Sequence, residues 1–183
     1  MKILQSAVLA ITVLVALFAT GQSPRSNAAV QAEARKIAAW GHDPTLVNAV
    51  KQQNAKKVAL AQIQEIDKQW LDNKDAISAA MLANPCSQYL KALVGKNRAF
   101  SESFVMDDQG ANVCMTDRTS DYWQGDEAKW QKSFNGGNGT IFIDERKYDS
   151  SANAVLVQIS VPVIDAGKTI GAITVGIKVD QLK

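Results

Sequence analysis

The chain has 183 residues, of which 46% are hydrophobic, 21% charged and 7% aromatic. This composition is typical of one folded domain and excludes a disordered chain, which needs low hydrophobicity and high net charge. Outside the N-terminal segment no apolar run reaches the roughly 18 residues that span a bilayer, so a multi-span membrane protein is also excluded.

The first 28 residues have the pattern of a targeting segment. Lys2 supplies a positive start, residues 7–19 form an apolar run, and Ser26-Asn27-Ala28 offers small residues at a cleavage site. This order predicts a cleaved signal peptide and a periplasmic or secreted protein. The alternative is an uncleaved N-terminal membrane anchor, because Ile3-Leu4 could lengthen the apolar run.

Removal of residues 1–28 would change the charge of the chain. The full sequence has 20 basic and 18 acidic residues, and residues 1–28 contain Lys2 and Arg25 but no acid. The single domain predicted over residues 29–183 is therefore formally neutral and has no basic stripe. Since nucleic-acid binding depends on a basic surface, we expect no nucleic-acid partner.

Cys86 and Cys114 are the only cysteines. In an exported protein this even number permits one disulfide, but nothing in the sequence fixes the distance between the two residues. We therefore favour the interpretation that both cysteines are free thiols, one under a helix and one on a strand. No C-x-x-C motif occurs, and we expect neither a metal nor a cofactor.

Catalysis has little support in the sequence. His42 is the only histidine, and the motifs of zinc proteases, serine hydrolases and P-loop enzymes are absent. Asp126 and Glu127 are adjacent, so on a helix they would point about 100° apart and could not flank a glycosidic bond. We therefore expect a protein that is not an enzyme.

The helical part is predicted over residues 29–98. Asp43 can cap a helix and Pro44 suits its first turn, and apolar residues then recur at spacings of three and four. Asn54 interrupts this stripe and is explained by a hydrogen-bonded structural amide or, alternatively, by a ligand contact. Helices are predicted over residues 29–40, 45–71, 75–82 and 86–94, and the long one over 45–71 could pair two copies into a homodimer.

The sheet part is predicted over residues 99–183, where alternation replaces helical spacing. Pro162 implies a bulge or an edge within its strand. A helix is predicted over residues 126–134, within an insert at 117–139. The strands fall at residues 102–106, 112–116, 140–143, 154–164 and 169–177. The predicted fold class is α+β, a long N-terminal helix packed on a five-stranded antiparallel sheet whose other face is free to hold a ligand.

Four stretches stand out along the chain: Ile66-Asp67-x-x-Trp70, Phe104-Val105-Met106-Asp107-x-x-Gly110, residues 121–130, and Ile159–Val163 with Ile170-Gly171-Ala172. In this order they resemble the Cache family, in its single-module form also called the PDC sensor fold, a PAS-like extracytoplasmic domain. The resemblance implies a small-molecule sensor whose ligand lies on the sheet under the insert. Many members that bind amino acids have an Arg two residues before the tryptophan matching Trp130, but Ala128 stands there in this chain.

The resemblance also implies a role for Asp149 and for a partner. The acid that those members use for the ligand amine could correspond to Asp149. Most members are parts of membrane receptors, whereas this sequence ends at Lys183, directly after its last predicted strand. We therefore expect a domain that acts through a membrane-bound signalling partner.

The chemistry of residues 107–149 indicates the class of ligand. This segment contains nine acids, five bases and six of the 12 aromatic residues. Aromatic faces beside carboxylates suit a small amine or another cationic metabolite. Arg118 could instead bind a carboxylate in bidentate fashion, which makes an organic acid the second choice. A structural or interaction module with no ligand is the third. The predicted ligand-binding residues are Arg118, Tyr122, Trp123, Asp126, Trp130 and Asp149.

Overall fold

The computed structural model describes residues 24–72, 76–150 and 153–182. Most of the predicted signal peptide, up to residue 23, lies outside the described residues, and the first helix already begins at Pro24. Within the three described ranges, no helix has the length and apolarity that crossing a bilayer requires.

Six helices and six strands follow one another along the described chain. The helices are α1 (Pro24–Ala38), α2 (Pro44–Ala55), α3 (Leu60–Leu71), α4 (Ala76–Ala83), α5 (Pro85–Val94) and α6 (Ala128–Phe134). The strands are β1 (Phe100–Met106), β2 (Asn112–Met115), β3 (Phe142–Ile143), β4 (Lys147–Asp149), β5 (Ala154–Asp165) and β6 (Lys168–Lys178).

The strands form one antiparallel sheet in the order β2-β1-β6-β5-β3, with β4 also paired to β5. The α+β class is confirmed, but the prediction of five strands is wrong because β4 is a sixth. The two-residue β3 covers only Ser160 and Ile159 of the long β5. β4 pairs with the next part of that edge, matching Tyr148 to Val155, and so satisfies backbone groups that would otherwise be unpaired.

The prediction of one helix over residues 45–71 is also wrong, because α2 ends at Ala55 and α3 begins at Leu60. Lys57 has a left-handed backbone conformation with φ of 49°. Between the two helices, a side chain distant in sequence binds the backbone, because Gln109 Nε2 donates a hydrogen bond to Val58 O at 2.8 Å. The continuous helix that suggested a homodimer is therefore absent.

Asn54 is bound through both atoms of its amide. Its Nδ2 donates to Ile170 O at 2.8 Å, and its Oδ1 accepts from Asp108 N at 3.2 Å. These bonds join α2 to the β1–β2 turn and to β6. They agree with the structural interpretation of this interruption in the apolar stripe.

The sheet carries a hydrophobic cluster on each face. One cluster joins α1, α2 and α5 to the odd-numbered positions of β5 and β6, such as Val157, Ile159 and Ile173. The second joins α3 and the insert to residues such as Phe104 and Met106 of β1. The predicted free face is therefore largely covered, and only part of it borders a cavity.

Cys86 and Cys114 form a disulfide with a Cα–Cα distance of 5.7 Å. The favoured expectation of two free thiols is wrong. Cys86 lies in the first turn of α5 and Cys114 in the edge strand β2, which packs beside that helix. The pairing depends on this tertiary contact, which the sequence spacing alone does not reveal.

Candidate functional site

An acidic cleft lies on the sheet face that also carries α6. Its volume is about 350 Å³, within the range of small-molecule sites. The start of α6 forms one wall, β4 and the segment before it form another, and β5 forms the floor. Its lining residues are Glu127, Lys129, Asp144, Glu145, Lys147, Tyr148, Asp149, Leu156 and Gln158.

Four carboxylates and two lysines line the cleft, so its wall is negative. Lys147 lies 3.2 Å from the Asp144 carboxylate, which it partly neutralises. Lys129 donates to Gln124 at 3.2 Å, and its ammonium lies 5.6 Å from the centre of the Phe104 ring. The two lysines thus have partners, and the excess charge of the cleft is acidic.

A further carboxylate, Glu102, lies beside the floor of the cleft. Gln158 Nε2 donates to Glu102 Oε1 at 3.1 Å, although β1 and β5 are separated by β6. On β6, between Glu102 and Gln158, lies Gly176, which is the direct pairing partner of Gln158 in the sheet. A Cβ at position 176 would lie 2.9 Å from Glu102 Cγ, so glycine provides the space for this contact.

The environment of Glu102 disfavours its charge. Burial raises the pKa of Glu102 above its ordinary value of 4.5, and the negative charge of Asp149 raises it further. The hydrogen bond from Gln158 and the charge of Lys129 oppose this rise. A cation bound in the cleft would act in the same direction as Lys129 and stabilise the ionised carboxylate.

Two tryptophans fix the insert to the turn between β1 and β2. Trp123 Nε1 donates to Gln109 O at 2.8 Å, and Trp130 Nε1 donates to Asp107 O at 3.0 Å. The Trp130 ring also stacks on Phe134, with ring centres 4.9 Å apart. Both indole nitrogens are therefore bound by the protein itself, and neither tryptophan lines the acidic cleft.

The start of the insert is held by α3. Asp67 Oδ1 accepts from Tyr122 N at 2.8 Å and from Trp123 N at 3.0 Å. The Ile66-Asp67-x-x-Trp70 stretch thus positions the insert, since Trp70 Nε1 also donates to Thr119 O at 2.9 Å.

Tyr122 and Arg118 both pack against Trp70. Tyr122 is 5% exposed, its ring centre lies 5.7 Å from that of Trp70, and burial raises the pKa of Tyr122 to about 12. The Arg118 guanidinium lies 5.0 Å from the centre of the Trp70 ring and donates to Trp70 O. Neither side chain lines the acidic cleft.

The six predicted ligand-binding residues do not converge on one cavity. Asp149 lines the acidic cleft, whereas Tyr122 lines a separate groove between α3 and α4. Asp126 is exposed and is not part of the cleft wall. Their roles in binding a ligand remain predictions, and the geometry favours Asp149 among them.

Glu102 and Gln158 are residues that the sequence reasoning missed. Each occupies a polar position in an alternating strand, which the pattern alone assigns to solvent. The available signal was Gly176, because a glycine inside a strand rich in β-branched residues marks a close approach of other groups. The pairing of β1 and β5 on either side of β6 was needed to say which groups approach.

Comparison with known protein families identifies the class of this domain. Residues 63–183, about two thirds of the chain, match the family described as "Methyl-accepting chemotaxis protein-like, first PDC sensor domain". The chain therefore belongs to this family of PDC sensor domains.

The chain is also similar, at low sequence identity, to several solved sensor domains. The sensor domain of the V. cholerae histidine kinase DctB is 14% identical, with a TM-score of 0.47 over 86% of this chain and 54% of that one. The Campylobacter jejuni chemoreceptor Tlp3 with L-norvaline is 14% identical, with a TM-score of 0.43 over 88% and 65%.

A third structure is the Pseudomonas aeruginosa chemoreceptor PctC in complex with GABA. It is 14% identical, with a TM-score of 0.42 over 72% of this chain and 63% of that one. The chain thus spans about half to two thirds of the length of these three structures. No curated protein matches the chain.

Proposed function

We propose that the chain is an extracytoplasmic sensor domain that binds a small amine or another cationic metabolite in the acidic cleft. A membrane-bound signalling partner would read the bound state. The observation that carries this proposal is the excess of carboxylates around the cleft, with Asp149 in its wall and Glu102 beside its floor.

The polar groups of the cleft suit an ammonium ion. The Nε2 of Gln158 is committed to Glu102, which leaves the Oε1 of Gln158 as an acceptor for a ligand N–H. Asp149 supplies a second acceptor with negative charge. Leu156, buried in the floor, offers apolar contact to the carbon skeleton of the ligand.

The proposed signal begins at α6. Glu127 and Lys129 at the start of this helix line the cleft, while Trp130, the residue after Lys129, donates a hydrogen bond to the β1–β2 turn. A ligand that draws Glu127 or Lys129 inward would therefore move a segment that is tied to the opposite end of the sheet.

One observation favours an interaction module without a ligand. Both insert tryptophans are half-buried and bonded to backbone oxygens, so the insert is anchored without any bound molecule. The organic-acid alternative is supported only by Arg118, whose guanidinium contacts the ring and the carbonyl oxygen of Trp70.

Isothermal titration with ethanolamine, putrescine and spermidine tests the proposal, with succinate and malate as anionic comparisons. We expect saturable binding of at least one amine and a loss of about tenfold in affinity in Asp149→Asn, the cost of one charge-assisted contact. Asp126→Asn is the matched control, because it removes an equal charge outside the cleft wall. Binding of anions alone, or an equal loss in both variants, would contradict the proposal.

A further inference from the structure

A second, chemically different groove lies among helices α2, α3, α4 and α5, beside β2. One part, of about 560 Å³, lies between α2 and the start of α5. The other, of about 530 Å³, lies between α3, α4 and the start of β2. The two parts share Gln53, Lys56, Asn84 and Val113, so they form one continuous groove.

Carboxamide side chains dominate the polar lining of this amide groove. Among the described residues that line it, there is no carboxylate, and Lys56 is the one cation. The Lys56 ammonium donates to Gln53 Oε1 at 2.9 Å. The amides are Asn48, Gln52, Gln53, Gln62, Asn84 and Asn112.

Asn112 leaves a buried acceptor without a partner. The residue is 1% exposed, and its Nδ2 donates to Thr119 Oγ1 at 2.8 Å and to Asp121 O at 3.1 Å. Its Oδ1 has no hydrogen-bond partner. Because an unpaired buried oxygen is unfavourable, a hydrogen-bond donor supplied by a ligand would be favourable here.

The remaining lining is apolar. Ile66 of α3 and Ile77 and Met81 of α4 border the same part of the groove as Asn112. The Asn84 amide is bonded through both atoms within the protein, to Val113 O and Ser87 N. The carboxamides of Asn48, Gln52 and Gln62, set beside an apolar wall, match a ligand with hydroxyl groups on one face and C–H groups on the other. Among the lining residues only Lys56 is charged, so the groove offers no counter-ion to a cationic ligand and a single one to an anionic ligand.

We propose that the amide groove binds a neutral polyhydroxyl compound of the size of a mono- or disaccharide. Hydroxyl groups of the ligand pair with the carboxamides, and its C–H face lies on Ile66, Ile77 and Met81. One hydroxyl reaches toward Asn112. This site is independent of the acidic cleft, because the two share no lining residue.

The test is an NMR titration of the whole domain with glucose, maltose and trehalose. For at least one sugar, we expect saturable chemical-shift changes in the backbone N–H signals of α3, α4 and β2. Ala80→Trp should fill the groove and abolish these shifts, since Ala80 lines it. Ala79→Trp is the matched control, because Ala79 is also exposed on α4 but does not line the groove.

A second pair of substitutions, to alanine, keeps the proposal testable if the tryptophan variants fail to fold. Gln62→Ala should weaken sugar binding about fivefold, the loss expected for one neutral hydrogen bond. Gln64→Ala, on the exposed face of the same helix, should leave it unchanged. The proposal is overturned if none of the three sugars binds, or if Gln62→Ala and Gln64→Ala bind them equally. Amine binding in the acidic cleft would be unaffected by either result.

Discussion

Glu102 and Gln158 lie on strands that do not pair with each other, yet their side chains meet at 3.1 Å across Gly176. The contact places a half-buried carboxylate beside the floor of the acidic cleft. It also leaves the side-chain oxygen of Gln158 available to a ligand. The electrostatic character of the proposed site depends on this pair.

The first prediction concerns the pH dependence of stability. Because burial raises the pKa of Glu102 in the folded state, its contribution to stability is fully present below about pH 4.5 and is lost as the pH rises through the folded-state pKa. Glu102→Gln should therefore become progressively more stable relative to the parent protein above pH 4.5. Urea unfolding from pH 4 to pH 8 measures this difference. A difference that does not change over this range would contradict the assignment.

The second prediction concerns the space above Gly176. Gly176→Ala would put a Cβ 2.9 Å from Glu102 Cγ, which we expect to displace Glu102 and to cost about 1–3 kcal/mol of folding free energy. Thermal unfolding in the parent and in a Glu102→Ala background measures the coupling. The penalty should be smaller once Glu102 is truncated. Equal penalties in both backgrounds would show that Glu102 is not the group displaced.

The third prediction concerns Asp67, which accepts two backbone hydrogen bonds from the start of the insert. Asp67→Ala should destabilise the domain by about 2–4 kcal/mol, because two bonds to a charged group are lost. Glu65→Ala on the same helix is the control. Glu65 is exposed and 3.5 Å from Lys68, and such surface pairs contribute about 0–1 kcal/mol. Similar losses in the two variants, measured by urea unfolding, would argue against this anchoring role.

The fourth prediction concerns the disulfide. The Cys86–Cys114 bridge has a sequence separation of 28 residues, and closing a loop of that length stabilises a fold by about 3–4 kcal/mol on the chain-entropy estimate. Reduction of the parent protein should lower its free energy of unfolding by that amount. The Cys86→Ala/Cys114→Ala double variant should be insensitive to reductant. An unchanged unfolding curve for the reduced parent would mean that the bridge does not stabilise the fold.

Sequence signals such as helix caps predicted the parts of the fold that depend on contacts between residues close together in the chain. Asp43 and Pro44 start α2 as expected, since Asp43 Oδ1 accepts from Thr45 N at 2.9 Å. The end of α2 could not be predicted, because no Gly or Pro marks Lys57. That break is instead accompanied by the long-range bond from Gln109 to Val58.

The candidate site was only partly predictable for the same reason. Asp149 was named from a family resemblance, and it lines the acidic cleft. The insert tryptophans were expected to face a ligand because the segment is rich in both aromatic and acidic residues. The hydrogen bonds from these tryptophans to Gln109 O and Asp107 O depend on how the β1–β2 turn packs against the insert. This tertiary packing cannot be predicted from the order of residues along the chain.

The most direct test of the amine-sensor account is a set of ¹⁵N–¹H NMR titrations of the whole domain with ethanolamine, putrescine and spermidine, of which at least one must bind. The account predicts saturable shifts for the backbone amides of Lys129, Asp149 and Gln158, which surround the acidic cleft. Shifts confined to other parts of the molecule, or no saturable shift at all, would contradict it.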